Sequence, residues 1–230
     1  HDMPKAAHVG PPFSGRMLQK LANVRKQLER VLLQVQKPAR YTGGEQGSIV
    51  KDPAQVDVRF AFCFPDLYEV GMSHLGMKIL YSLMNEREDV WCERVFAPGE
   101  DFERVMRAHK IPLFGLESMD PIREFDFIGF TLQYELSFTA ILNMLDLAGL
   151  PVRSQDRAGL QPVVVAGGPC ACNPEPIADF IDLFILGEGE EVNLELIDLY
   201  QACKREGTTK QEFLRRAAQI QGIYVPSLYQ

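Results

Sequence analysis

Residues 56–64, VDVRFAFCF, set the first constraint on the fold. Val56, Val58, Phe60, Phe62 and Phe64 alternate with Asp57, Arg59, Ala61 and Cys63. A period of two, with β-branched and aromatic residues on one side, predicts a strand with one strongly buried face. Pro65 has no ladder donor and Asp66 favours a turn, so the strand ends there. The period then changes. Met72, Leu75, Gly76, Ile79, Leu80 and Leu83 recur at helical spacing. Strand, loop and helix in that order place residues 66–71 at the carboxyl end of a strand, the edge where open α/β sheets take ligands.

The same alternation continues along the chain. Residues 1–16 are polar, rich in Pro and Gly and without periodicity, and read as a disordered leader or cloning remnant. Met17, Leu21, Val24, Leu28, Val31 and Val35 then recur three and four apart, an amphipathic helix that Pro38 closes. That helix either covers a sheet face, the plainer role, or serves as an interaction arm. Residues 38–55 form a loop around Gly43-Gly44, with 48–51 as a candidate short edge strand. Strands are predicted at 90–96, 125–132, 162–166 and 181–186, with a short one at 222–225. Helices are predicted at 100–109, 136–147, 176–179, after residue 190 and at 210–220. Residues 111–124, broken by Pro112 and Pro121, read as a long connection leaning over the ligand edge. Apolar strands separated by amphipathic helices mean a parallel sheet covered on both faces, with right-handed crossovers. The expected architecture is α/β: a flavodoxin-like (Rossmann-type), doubly wound, five-stranded parallel sheet of order 2-1-3-4-5 with an extra amino-terminal helix.

A chain of 230 residues can bury a sizeable core. Its net charge of −7 argues against a nucleic-acid surface, which needs clustered Lys and Arg. No apolar run approaches the roughly 18 residues of a membrane span, so no membrane partner is expected. The cysteines (Cys63, Cys92, Cys170, Cys172 and Cys203) are odd in number, and three of them fall inside predicted strands or helices. That pattern fits a reducing compartment better than a disulfide framework, so a cytoplasmic location is expected. Cys170-x-Cys172 is a close pair, but nothing nearby completes a set of three metal ligands.

Three loops converge on the carboxyl edge: residues 66–71 (DLYEVG), 131–135 (TLQYE) and 167–170 (GGPC). A double glycine after a strand lets backbone approach a ligand closely, though it also makes a plain turn. Gly187-Glu188-Gly189-Glu190 opens a helix, where the dipole favours acids. The two glutamates either shape that loop or meet ligand hydroxyls. Ser73 or Asp66 can cap the helix after strand one, and His74 on its first turn reads as a polar capping group.

In this order the loops resemble the cobalamin-binding domains of the methionine synthase and mutase type. Those carry D-x-H-x-x-G after strand one, S-x-L after strand three and G-G after strand four. Here the first motif is D-L-Y-E-V-G, with Asp66 and Gly71 in register and Tyr68 in place of His. The second has Thr131 for Ser and Gln133 for Leu. The third is intact as Gly167-Gly168. A wider resemblance runs from about Met17 onward. QKPARYTGGE, FCFPDLYEVGMSHLGMKILY, GFTLQYELS, AGGPCACNPEP and LGEGEE are similar to the amino-terminal part of an uncharacterised bacterial family of radical S-adenosylmethionine (SAM) proteins. In that family a cobalamin-binding-like domain precedes a radical SAM barrel.

The resemblance implies a domain plan: a helix and loop at 17–55, a cobalamin-binding-like domain at 56–205, and at 206–230 a helix and the start of a linker to a radical SAM domain. It implies cofactor contacts at Asp66, Tyr68, Glu69, Gly71, Ser73, His74, Thr131, Gln133, Gly167, Gly168, Pro169, Gly187, Glu188, Gly189 and Glu190. SAM and a [4Fe–4S] cluster belong to the carboxy-terminal radical SAM domain of the same native chain, because C-x-x-x-C-x-x-C is missing here. No catalytic or metal-ligating residue is therefore expected in residues 1–230. Tyr68 departs from the motif where the family's His serves as lower axial cobalt ligand. A phenol with a pKa near 10 cannot imitate neutral imidazole. The expected function is a cobalamin-type cofactor domain of a radical SAM enzyme, with no His axial ligand. The alternative is a degenerate cobalamin-binding fold acting as an interaction scaffold. A nucleotide-binding enzyme ranks last, since Asp66 and Glu69 would repel phosphate.

Overall fold

The computed structural model describes residues 26–229. A six-stranded sheet runs through it in the order β2-β1-β3-β4-β5-β6. The strands are β1 (Val58–Phe64), β2 (Val90–Phe96), β3 (Phe127–Thr131), β4 (Val163–Gly167), β5 (Leu183–Ile185) and β6 (Ile223–Tyr224). The first five are parallel, and their order is the expected 2-1-3-4-5. The short strand expected at 222–225 is present and joins this sheet, which has six strands where five were expected. Gly222, at φ +88°, turns the chain back, and β6 then pairs antiparallel with β5. Pairing there caps an edge that would otherwise present open donors and acceptors.

Helices pack on both faces. α1 (residues 26–31), α4 (Glu100–His109) and α5 (Phe138–Leu147) cover one side. α3 (Leu75–Glu86), α6 (Glu190–Glu206) and α7 (Lys210–Ala217) cover the other. A short α2 (Tyr68–Ser73) bridges β1 and α3. The two-residue period of β1 divides between the layers. Val58, Phe60, Phe62 and Phe64 pack towards α3 and α6, while Ala61 and Cys63 pack towards α4 and α5. The single buried face expected for β1 is therefore corrected to two. The body also continues past residue 205, because Phe213, Leu214, Ala217 and Val225 join the α6 core.

Three local expectations change. The amino-terminal helix was expected over 17–35; its first part lies outside the described residues, and the described part ends at residue 31 and tightens into a 3-10 turn, Leu32–Gln34. Leu28, Val31 and Val35 are buried in the core that also holds α4 and α5, the covering role. Residues 48–51 form no strand. They are pinned instead by the Tyr81 hydroxyl, which accepts from the Ile49 N–H at 2.8 Å, and by the Trp91 indole, which donates to the Ile49 carbonyl at 3.0 Å. Residues 111–124 do not lean over the ligand edge; they close the outer edge of β2, where the Leu116 N–H donates to the Arg94 carbonyl at 2.8 Å.

That connection also completes a buried ionic network. Arg59 reaches Glu93 at 2.5 Å and Asp120 at 2.8 Å, and its guanidinium lies 4.1 Å over the Phe125 ring. Glu93 also accepts the Ser118 N–H at 2.8 Å. Beside it, Glu117 takes the Arg94 Nε at 2.6 Å and the Arg94 N–H at 2.8 Å. Burial pushes the Glu117 carboxyl up to about 7 despite Arg94, and the nearby Glu93 adds to the rise.

Candidate functional site

A cavity of about 240 Å³ opens at the carboxyl edge, on the face covered by α3 and α6. Missing side chains create it. On β3 the inward series Phe127, Gly129, Thr131 drops its middle side chain, and on β4 the series Val163, Val165, Gly167 drops its last. Phe60 has taken part of the first gap: a Cβ on Gly129 would meet its ring at 2.6 Å. The space by Gly167 stays open. Phe62, Val165, Ile185, Met77 and Leu80 make the apolar floor and wall.

The polar rim comes from loops that the sequence singled out. Thr131, Gln133, Gly167, Gly168, Gly187, Glu188, Gly189, Glu190 and His74 all line the cavity. The loops after β3 and β4 are tied together. The Leu132 N–H donates to the Gly167 carbonyl at 2.6 Å, and the Cys170 N–H to the Leu132 carbonyl at 3.0 Å. Gly168 makes this possible with φ +106°, a conformation L side chains rarely adopt, and a Cβ there would stand 3.0 Å from the Leu132 carbonyl oxygen. Gln133 donates to the Thr131 hydroxyl at 2.5 Å. Gly187 has φ +104°, and a Cβ would meet nothing within 4 Å, so this backbone borders open space. Gly189 is the N-cap of α6, with Glu190 in its first turn.

The other residues predicted for the site stand outside the cavity. Asp66 accepts from the Leu67 N–H at 2.7 Å and from the Tyr134 hydroxyl at 2.8 Å, a clamp between the loops after β1 and β3. Tyr68 packs edge-on against Phe96, and burial together with Glu45 raises its phenol pKa. Glu69 binds Lys37 and Arg40, whose hydrogen bonds hold its carboxyl down to about 2. Gly71 is buried, with Phe96 where a Cβ would be. Ser73 donates to the Val70 carbonyl at 2.7 Å instead of capping α3. Pro169 starts the 3-10 turn Pro169–Cys172.

His74 is the N-cap of α3; its Nδ1 accepts from the Met77 N–H at 3.1 Å. The neutral ring then carries its proton on Nε2, which makes that atom a donor. A metal bound at Nε2 needs the opposite tautomer, with Nδ1–H donating to a neighbour. The cap and an axial ligand are therefore mutually exclusive. Among the described residues no group of three or more His, Cys, Asp or Glu side chains is arranged to hold a metal ion. None of the described helices is long and apolar enough to cross a membrane.

The cavity can take a mainly apolar group with a few hydrogen-bonding atoms at its rim. Sequence reading missed the apolar half of the site. Gly129 and Asn193 sit at inward positions of β3 and α6, and strand register carries the signal that could have found Gly129.

Comparison with known proteins adds the family. A family model described as "Radical SAM proteins, N-terminal" matches residues 76–226. The match includes the loops after β3, β4 and β5 and begins after the Asp66 loop. An uncharacterized protein of Methanocaldococcus jannaschii is 32% identical over 142 residues, which is 60% of this chain and 26% of that protein. The aligned region thus spans about a quarter of that relative's length. The chain belongs to the family of radical SAM protein N-terminal domains.

Proposed function

We propose that the chain is the cofactor-binding domain of a larger radical SAM enzyme, taking a cobalamin-type corrinoid at the carboxyl edge without a His axial ligand. The observation that carries this is the glycine-walled cavity on which Thr131, Gln133, Gly167, Gly168 and Gly187–Glu190 converge. Those residues would hold the nucleotide end of the cofactor. Bound there, the cofactor would supply a cobalt centre for methyl transfer or rearrangement. SAM and the [4Fe–4S] cluster would reside in the catalytic domain of the same native chain. Exposed apolar side chains support a covering domain: Val70, Leu75, Ile79 and Leu186 are exposed, and Leu136 is 86% exposed.

A second reading, an interaction scaffold that has lost cobalamin, is favoured by Tyr68, which faces Phe96 and Glu45. Titration with hydroxocobalamin, followed by visible spectrum and heat, separates the two. Saturable micromolar binding with a base-off spectrum supports the cofactor domain. Failure to bind, by folded protein and again by the longer native chain, supports the scaffold.

A further inference from the structure

A second cleft, of about 590 Å³, lies at the opposite, amino-terminal edge of the sheet. It is framed by residues 153–158 ahead of β4, the 3-10 turn Glu175–Phe180 ahead of β5, the first turn of α7, and Pro226–Leu228. Its charge is one-sided. Arg153, Arg157, Lys210 and Arg215 line it against one carboxylate, Asp179. This is unusual in a chain whose net charge is −7.

The deep wall has a surplus of buried positive charge. Arg157 and Lys210 are 5% and 6% exposed. Both pair with Asp182, Arg157 Nη2 at 3.0 Å and Lys210 Nζ at 2.8 Å. Asp182 is committed further, to the Ser154 hydroxyl and to the Val164 N–H. The other Arg157 contacts are the neutral carbonyls of Pro151, Val152 and Phe180. Two buried cations thus share one carboxylate, and burial draws the Lys210 pKa down. A buried charge without a full partner is costly. At the mouth, Arg153 bonds Asp179 at 2.8 Å, while Arg215 is 3.5 Å from Glu212 with its side chain 62% exposed.

We propose that this cleft is a binding site for an organic phosphate, separate from the cofactor edge. The anion would balance the Arg157–Lys210 surplus and take the guanidinium forks of Arg153 and Arg215, whose geometry matches phosphate oxygens. The amino terminus of α7 borders the cleft through Thr209, Lys210 and Gln211, adding backbone donors and the favourable end of the dipole. The volume lies in the range of small-molecule sites, larger than a bare anion needs.

The test is calorimetric titration of the protein with inorganic pyrophosphate at fixed ionic strength. One saturable site is expected, weakened roughly tenfold or more in the double variant Arg153→Gln/Arg215→Gln, since charge-assisted hydrogen bonds are lost. Arg104→Gln, a charge removal on α4, should leave the affinity within about twofold, as remote surface charges are screened. Absence of saturable binding overturns the proposal. So does an equal loss in Arg104→Gln, which would mean diffuse attraction and no site. Neither result bears on the cavity at the carboxyl edge.

Discussion

Gly167 offers a test in which stability and binding should move in opposite directions. It is the last residue of β4, in register with Thr131 and Ile185. It follows Val165 by two positions, so a side chain added there points into the cavity. A Cβ would meet Ile185 at 3.6 Å, an ordinary contact, and φ lies outside the left-handed region. Gly167→Ala should stabilise the chain by about 0.4–1 kcal/mol through lost unfolded-state freedom. Gly167→Val adds strand preference and apolar burial, bounded by the ~1.5–3 kcal/mol of a fully buried Val, so a net gain of about 1–2 kcal/mol is expected. At roughly 2–4 °C per kcal/mol this raises Tm by several degrees. The same three carbons would take the space of a bound base, and overpacking of about 1–3 kcal/mol would weaken cobalamin roughly fivefold or more. Urea denaturation without ligand and spectroscopic titration with it are the two assays. A variant destabilised by more than about 1 kcal/mol would mean that the glycine serves the fold. Unchanged binding in a stabilised variant would mean that the cavity is not the site.

Other perturbations follow from the same geometry. Arg59→Met strands the fully buried Glu93 carboxylate and should cost about 3–5 kcal/mol in urea denaturation. Glu117 keeps its proton in the folded chain to about pH 7, against an ordinary value of 4.5. The folded state therefore binds more protons across that window, so stability falls as pH rises from about 4.5 to 7, by on the order of 3 kcal/mol. Glu117→Gln should flatten that slope in denaturation curves taken at several pH values. His74→Ala loses the α3 cap, costing about 1 kcal/mol, and should leave the spectrum of bound cobalamin unchanged. Tyr68→Phe should likewise leave that spectrum unchanged, because the phenol is engaged with Glu45 and Phe96.

Local periodicity carried most of the fold. The bounds of β2 and α4 match the expected ones residue for residue. The parallel strand order was legible from the alternation of strand and helix. The β2 edge was not. Arg59 read as part of the polar face of an alternating strand, and Glu93 carried no local signal. Their burial arises from partners far along the chain, Asp120 and Ser118, that no local window contains. The site divides in the same way. Gly167, Gly168 and the 187–190 loop carry a backbone signature visible in sequence, and they do meet at the cavity. Asp66, Tyr68 and Glu69 share a motif stretch, yet side-chain partners draw them elsewhere: Tyr134, Phe96, Lys37 and Arg40. Spacing along a loop fixes where the backbone goes and leaves open which way each side chain turns.

Amide chemical-shift mapping of the labelled protein with cyanocobalamin, a closed-shell form, tests whether the carboxyl-edge cavity takes a corrinoid. Saturable shifts centred on Thr131, Gly167, Gly168, Gly187 and Gly189 are expected, with the amides around Lys210 unmoved. No shifts at saturating cobalamin, or shifts confined to surfaces away from those glycines, would contradict the proposal.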